Sequence, residues 1–198
     1  VDLNNRERKK RHRASAIGVK AHEALSLQDE WLERHGERQD AIRDSSSGFD
    51  VTFHLFGEQR MPALLSIRQF ESKHHVFVNS KDFPATCMQE FLGSRDLNEL
   101  SVDPWDGQAV HKRITDLAKK FPEKTRIGMN LTGGTKLMFA GALSAARELG
   151  AVPFYFDGKN RRITFIDSLR REKIRPIDSI ETFLILNGDG LDILGSSG

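Results

Sequence analysis

The fold of this chain is decided by one stretch, Gly128-Met129-Asn130-Leu131-Thr132-Gly133-Gly134-Thr135-Lys136-Leu137-Met138. The segment 127–131 is short and mostly apolar, which predicts a buried strand at the centre of a parallel sheet. The pair Gly133-Gly134 permits a tight turn and a close approach of a ligand to the main chain. From Thr135 the apolar residues recur at helical spacing, and Gly150 is placed to end that helix. The stretch therefore predicts a strand, a glycine turn and a helix.

The start of this helix is a candidate anion site. The free N–H groups and the partial positive charge of a helix N-terminus attract phosphate. Lys136 lies in the first turn, where a cation opposes the helix dipole by roughly 0.3–1 kcal/mol unless an anion binds beside it. Thr132 and Thr135 add hydroxyls suited to phosphate or ribose. The alternative is an ordinary strand–turn–helix capped by threonine, with Lys136 in solvent; the complete Thr-Gly-Gly-Thr-Lys pattern favours the ligand site.

Strands alternate with helices from Phe49 onward. The predicted strands are 49–56, 74–80, 99–102, 127–131, 152–156 and 162–166, and the predicted helices are 62–70, 84–91, 109–121, 135–150 and 180–186. Such alternation is typical of an α/β domain with a doubly wound, mostly parallel sheet. Residues 157–160, Asp-Gly-Lys-Asn, form a turn that predicts a C-terminal β-hairpin at one edge of the sheet.

Polar loops follow three of these predicted strands. The loops are Gly57-Glu58-Gln59, Asn79-Ser80 and Thr132 to Lys136. In a doubly wound sheet, ligands bind beyond the carboxyl ends of the strands, where all three loops lie. Their expected convergence is the argument from the residues themselves for a ligand site.

The first 48 residues differ from the rest and are expected to form a basic, helical N-terminal segment with a linker, ahead of a domain at 49–198. The segment contains a basic run at 6–13, Arg-Glu-Arg-Lys-Lys-Arg-His-Arg. A solvated tail is the favoured interpretation of that run. There are two alternatives. The run could contact nucleic acid, or it could lie on the cytoplasmic side of a membrane helix that this sequence lacks.

Composition limits the compartment more than the function. A net charge of +2 argues neither for nor against nucleic acid, and no apolar run reaches the length of a membrane span. The single cysteine, Cys87, excludes a disulfide framework and suits a reducing cytosol. The chain begins at Val1, so we expect a fragment whose missing part holds an effector domain or a membrane anchor. The expected location is cytoplasmic, including the cytoplasmic side of an anchored protein.

Common catalytic and metal motifs are missing from the sequence. The glycine turn does not match the Walker spacing or the Gly-x-Gly-x-x-Gly dinucleotide pattern. No Cys/His metal spacing occurs, and Asp103 with Asp106 forms one short acidic loop rather than a metal site. The acid-x-Lys spacing at Glu71-Ser72-Lys73 is interpreted as a solvated turn. We therefore predict no catalytic residue, no metal ligand and no cofactor.

Two parts of the chain resemble the CARF (CRISPR-associated Rossmann fold) domain. One is Asn130 to Met138, and the other is Leu55 to Gln59 followed by Pro62, Leu65 and Ile67. The resemblance covers about residues 49 to 187 and is closest to sensors of type III CRISPR antiviral effectors. It implies a Rossmann-like fold and a homodimer that binds the second messenger cyclic oligoadenylate, with cyclic tetra-adenylate expected, across its twofold axis.

The resemblance also implies which residues contact the nucleotide ligand. Gly57, Glu58, Gln59 and Ser80 would contact adenine or ribose. The phosphate ring would lie on the stretch that begins at Asn130, against Thr132, Gly133, Gly134, Thr135 and Lys136. In relatives fused to nucleases the nuclease follows the CARF domain, whereas here about 48 residues precede it and almost nothing follows.

Two enzyme functions remain as alternatives to a sensor. A ring nuclease would cut the cyclic ligand through attack of a ribose 2′-hydroxyl on the adjacent phosphate, with the helix N-terminus and Lys136 stabilising the developing charge. A small-molecule phosphate or nucleotide enzyme could use the same sheet. Neither is favoured, because no catalytic acid–base pair is evident at the three loops.

Overall fold

The protein is described here from a computed structural model, which describes residues 48–175. The strands are β1 (Phe49–Leu55), β2 (Ser72–Asn79), β3 (Asn98–Ser101), β4 (Ile127–Asn130), β5 (Val152–Asp157), β6 (Arg162–Phe165) and β7 (Arg171–Lys173). The helices are α1 (Met61–Gln69), α2 (Gln89–Leu92), α3 (Gly107–Ala118) and α4 (Lys136–Leu149), with a 3₁₀ turn at Thr86–Met88.

The strands form one sheet in the order β3-β2-β1-β4-β5-β6-β7. The first five strands along the chain are parallel, and β6 and β7 continue the sheet in antiparallel pairing. The central pair is β1 with β4, in which Val51 lies opposite Ile127 and His54 opposite Asn130. This arrangement confirms the predicted α/β, Rossmann-like, mostly parallel sheet with a hairpin, β5–β6, towards one edge.

Helices cover both faces of the sheet because side chains of a strand alternate between its faces. Val51, Phe53 and Leu55 of β1 pack with the apolar residues of α3 and α4 in one buried cluster. Phe77 of β2 packs with α1 and α2 in a second cluster on the other face. The two helices that follow the central strands, α1 after β1 and α4 after β4, therefore lie on opposite faces.

The helix α4 has the ends and the buried face that the sequence predicts. Thr135 is its N-cap, since the hydroxyl oxygen accepts a hydrogen bond from the Met138 amide. Gly150 ends the helix in the left-handed conformation, at φ 63°. Met138, Ala142 and Ala145 are buried against the sheet, and Leu149 is partly buried.

Two elements differ from the prediction. The helix expected at 84–91 is instead the 3₁₀ turn and the single-turn α2, which ends at Gly93 with a positive φ of 64°. The strand β7 was not predicted, because Arg171-Glu172-Lys173 has no apolar alternation; it pairs with β6 in antiparallel orientation. Lys73, expected in a solvated turn, lies in β2 and forms an ion pair with Asp50 at 2.7 Å.

Several sequence predictions fall outside the described residues. The N-terminal segment, apart from Gly48, and the last predicted helix, Ile180 to Leu186, stay predictions, and so does the domain division at residue 48. Within residues 48–175, none of the helices has the length and apolar character needed to cross a bilayer.

A chain of hydrogen bonds joins side chains on the face of the sheet that α1 and α2 cover. The guanidinium of Arg95 lies 3.0 Å from His75 Nε2, and His75 Nδ1 lies 2.9 Å from His54 Nε2. Since arginine only donates, the His75 proton is on Nδ1 and the His54 proton is on its own Nδ1. That last atom is buried and has no partner among the described residues. Both imidazoles are therefore held in the neutral form.

We expect these two histidines to make the protein acid-sensitive. Burial and then the charge of Arg95 lower the pKa of His75 from 6.5 to about 4, and burial followed by the nearby His75 lowers the pKa of His54 well below its ordinary value. The unfolded chain thus binds more protons below pH 6.5, so stability is full above that pH and falls as the pH drops towards the folded pKa. Urea unfolding should show a loss of roughly 1 kcal/mol from His75 between about pH 6.5 and 5.5, with a further loss of the same sign from His54.

The control for this pH dependence is His111, which is partly exposed and lies 2.8 Å from Glu148. His111→Gln should keep the steep fall in stability, whereas His75→Gln should flatten it. Equal pH dependence in His75→Gln and the unmodified protein would contradict the assignment.

Candidate functional site

A crevice opens where the two central strands end. The chain leaves β1 towards α1 on one face and leaves β4 towards α4 on the other. The two loops diverge at this point, which is the topological switch point at which doubly wound sheets bind ligands. The order of the strands therefore creates a concave site at the carboxyl edge, independently of any particular side chain.

A cavity of about 380 Å³ occupies this crevice. It is lined by eight of the ten predicted site residues: Gly57, Glu58 and Gln59 after β1, Ser80 after β2, and Thr132, Gly133, Gly134 and Thr135 after β4. The three loops thus meet as the sequence indicates. That these residues bind a ligand stays a prediction, and the other two, Asn130 and Lys136, do not line the cavity.

Gly133 is the point at which the β4 loop touches the end of β1. A Cβ atom at this position would lie 2.2 Å from the carbonyl oxygen of Leu55 and 3.0 Å from its carbonyl carbon. Gly134 follows with a φ of +73°, a conformation that favours glycine. The pair brings the main chain of the loop against the cavity without an intervening side chain.

The two threonine hydroxyls that the sequence suggested for phosphate or ribose donate hydrogen bonds within the protein. Thr132 Oγ1 donates to Asn130 Oδ1 at 2.7 Å and accepts from the Phe156 amide at 2.9 Å. Thr135 Oγ1 donates to the Pro104 carbonyl at 2.5 Å while it caps α4. A hydroxyl has a single proton to donate, so both donors are already used within the protein.

The side chain of Asn130 forms hydrogen bonds that connect two of the loops around the cavity. It is fully buried, and its Nδ2 donates to the Pro62 carbonyl at 2.9 Å, at the start of α1. Its Oδ1 accepts from the amide of Thr132 at 3.1 Å as well as from the Thr132 hydroxyl. One amide side chain thus links the loop after β1 to the loop after β4, which makes Asn130 a positioning residue.

The main-chain amides of the glycine loop are the donors that remain. Among residues 48–175, the amides of Gly133 and Gly134, of the N-cap Thr135 and of the first helical residues Lys136 and Leu137 donate no hydrogen bond. These amides coincide with the positive end of α4. Lys136 is exposed and, in the same described region, forms no ion pair. The arrangement suits an anion.

The acidic loop Asp103 to Asp106 is used for local structure. Asp106 Oδ1 accepts from the amides of Gln108 and Ala109 at 2.9 Å each, as the N-cap of α3. Asp103 Oδ1 accepts from the amide of Trp105 at 2.9 Å. No group of metal-binding side chains is found in the described part of the chain.

Sequence reasoning missed the aromatic part of the cavity wall. Trp105 and Phe83 both line it, with exposed fractions of 72% and 41%. Their loops follow β3 and β2, so they lie at the same edge as the glycine turn. The rule that placed the other three loops there applies equally to Asp103-Pro104-Trp105-Asp106, which follows a predicted strand.

A comparison with protein-family models identifies the chain. The model of the Card1 CARF domain matches residues 51–181. The chain belongs to the Card1 CARF family. The match includes β1 to β7 almost entirely and all the loops around the cavity, and it confirms the resemblance drawn from Asn130 to Met138.

Solved structures share the fold of this CARF domain. Can2 from Sulfobacillus thermosulfidooxidans, in complex with cyclic tetra-adenylate, has a TM-score of 0.61 at 18% identity, covering 69% of this chain and 40% of its own. Protein VC1899 from Vibrio cholerae has a TM-score of 0.58 at 12% identity, covering 69% of this chain and 38% of its own. A type III CRISPR defence DNA nuclease activated by cyclic oligoadenylate has a TM-score of 0.54 at 19% identity, with 69% of this chain and 23% of its own covered.

At these identities the similarity concerns the fold. The chain spans less than half the length of each of these three proteins. Comparison with curated proteins gives no significant match.

Proposed function

We propose that this CARF domain is a sensor that binds cyclic oligoadenylate, specifically cyclic tetra-adenylate, across the interface of a homodimer. The observation that carries the proposal is the group of unpaired amides at the start of α4, placed in the crevice between β1 and β4. Family membership supports it, as do the ligands of Can2 and of the CRISPR nuclease that share the fold. Binding would shift the dimer between two arrangements and so signal to an attached effector.

The size of the cavity supports sharing of the ligand between two subunits. At about 380 Å³ it lies towards the small end of ligand pockets, which span roughly 300–1,000 Å³. A ring of four nucleotides needs more room than this. A ring with twofold symmetry presents the same half to each subunit of a symmetric dimer, so each cavity would take part of the ring.

The charges at the site suggest how a nucleotide would lie. The phosphates would bind the amides of Gly133 and Gly134 and the ammonium of Lys136. Glu58 and Asp82 carry carboxylates in the cavity wall, which repel phosphate but accept hydrogen bonds from an exocyclic amine. Gln59 can pair with two atoms of an adenine edge. The phosphates would thus lie over α4, and the edges of the bases would face the loops after β1 and β2.

Calorimetry with cyclic tri-, tetra- and hexa-adenylate tests this proposal. Cyclic tetra-adenylate should bind with one ring per dimer, and linear tetra-adenylate should bind more weakly because its ends are not held. The absence of heat with all three cyclic ligands would refute the proposal.

Replacing Lys136 should weaken binding without altering the fold. Lys136→Ala removes one charge-assisted contact from each subunit, and because the side chain is exposed we expect a loss of about 1.5 kcal/mol per contact, the lower end for such contacts. Lys124→Ala is the matched control, since Lys124 is also exposed but precedes β4, at the amino edge of the sheet. Equal affinities of the two variants would show that Lys136 does not contact the ligand.

Incubation of the protein with each cyclic ligand, followed by chromatography, separates a sensor from a ring nuclease. Recovery of intact cyclic ligand on a column indicates a sensor, and linear products indicate an enzyme. The cavity lining contains no histidine. The side chain of His54, in β1, is buried and hydrogen-bonded to His75. The cytoplasmic location and the attached effector belong to the proposal as well.

A further inference from the structure

Trp105 is unusually exposed for a tryptophan. It leaves 72% of its accessible surface to solvent, although it lines the cavity of the candidate site. Phe83 lines the same cavity and is 41% exposed. An indole offers a large, rigid, apolar face, so such exposure at the rim of a polar cavity marks a surface that a partner covers.

The loop that carries Trp105 is fixed to the glycine loop. The amide of Trp105 donates to Asp103 Oδ1 at 2.9 Å. The carbonyl of the preceding residue, Pro104, accepts from Thr135 Oγ1 at 2.5 Å. Thr135 is in turn the N-cap of α4. The main chain at Trp105 is therefore held at a fixed position relative to the free amides at the start of that helix.

Phe83 is held in a similar way. Its amide donates to the Ser80 carbonyl at 3.2 Å, and its carbonyl accepts from Asn79 Nδ2 at 3.2 Å. The turn from Ser80 to Phe83 thus places a second aromatic ring on the same cavity. Neither ring depends on a long flexible loop for its position.

Building on the proposed function, we infer that Trp105 is the residue on which a purine base of the ligand stacks. A nucleotide has three features to be recognised: a phosphate, the edge of the base and the face of the base. The free amides match the phosphate, and Gln59 with Glu58 matches the edge. The exposed indole of Trp105, assisted by the ring of Phe83, supplies the apolar surface for the face.

The competing explanation is that a second copy of the chain covers Trp105 by ordinary apolar packing. The two explanations differ in the side chains that they tolerate. Stacking needs a π face, so phenylalanine substitutes well and leucine badly. Apolar packing accepts leucine nearly as well as phenylalanine.

The test uses the full chain with Trp105→Ala, Trp105→Leu and Trp105→Phe, and with Leu169→Ala as the control. Leu169 is 73% exposed, almost the same as Trp105, but lies between β6 and β7 and does not line the cavity. Each lost stack should raise the Kd for cyclic tetra-adenylate roughly 5- to 150-fold, and Trp105→Ala removes one stack from each subunit of the dimer. Trp105→Leu should resemble Trp105→Ala, Trp105→Phe should retain most of the affinity, and Leu169→Ala should not change it. Sedimentation should show the same oligomeric state for all four.

A fluorescence titration gives a second readout. The chain has two tryptophans, so Trp31→Phe leaves Trp105 as the only one. Stacking of a base should quench its emission on addition of cyclic tetra-adenylate, linear tetra-adenylate or adenosine monophosphate, and a cyclic dinucleotide without adenine serves as a comparison.

Each failure has its own signature. Unchanged affinity in Trp105→Ala, wild-type affinity in Trp105→Leu, or no quenching by any adenine nucleotide overturns the stacking inference. Quenching by linear nucleotides and adenosine monophosphate, with no binding of the cyclic ones, overturns the proposed function while the stacking residue stands.

Discussion

Gly133→Ala is expected to abolish binding of cyclic oligoadenylate and to lower the free energy of unfolding by about 1–3 kcal/mol, as is typical of overpacking. The added Cβ would lie 2.2 Å from the Leu55 carbonyl oxygen and 3.0 Å from its carbon. Both are backbone atoms of Leu55, the last residue of the central strand β1. Neither can rotate away as a side chain would. The loop must move instead, and its free amides move with it.

The matched control for this substitution is Gly158→Ala. Gly158 lies in the turn between β5 and β6, and a Cβ there meets nothing within 4 Å. Urea unfolding and calorimetry should show little change for Gly158→Ala and large changes for Gly133→Ala. Retention of full affinity in Gly133→Ala would show that the amides of this loop do not bind the ligand.

Asn130→Ala is expected to destabilise the domain by about 2–4 kcal/mol and to weaken ligand binding as well. The substitution leaves the Pro62 carbonyl and the Thr132 amide without their partner, and each unsatisfied group costs about 1–3 kcal/mol, less where water can reach it. The Thr132 hydroxyl loses its acceptor too. Because Asn130 joins the loops after β1 and β4, both walls of the cavity should lose their fixed separation.

Asn98→Ala provides the comparison. Asn98 is an exposed asparagine whose Nδ2 makes one bond, to the Asp96 carbonyl at 3.1 Å. Its removal should change the free energy of unfolding by no more than about 0.5 kcal/mol. If Asn130→Ala lost stability but kept its affinity, Asn130 would support the fold without positioning the site.

The convergence of the loops was predictable because it depends on chain topology. Alternation of strands and helices fixes the direction of each parallel strand, and the loops after Leu55, Asn79 and Asn130 must then meet at one edge. The family resemblance rests on two short segments, residues 130–138 and residues 55–67, each of which is local in sequence. Both inferences need only local patterns and a general rule of sheet geometry.

The roles of the individual site residues were not predictable in the same way. Thr132 and Thr135 looked like ligand-binding hydroxyls, yet their protons go to Asn130 and Pro104. The Pro104 carbonyl belongs to the loop after β3, and the Phe156 amide that donates to Thr132 belongs to β5, so these contacts are visible only in the folded chain. The edge at which Trp105 lies could have been predicted, because its loop follows a predicted strand, but its exposure beside the cavity is a property of the packed loops.

By itself, the sequence determined the fold class, the family and the edge of the sheet at which the site lies, because periodicity and short motifs encode strand direction and local turns. Only the tertiary structure decided which groups remain free to bind. A polar group is available to a ligand only if no neighbour already satisfies it, and those neighbours are brought together from distant parts of the chain. Main-chain amides and an exposed indole thus remain available at the cavity, while the threonine hydroxyls and Asn130 hold it in shape.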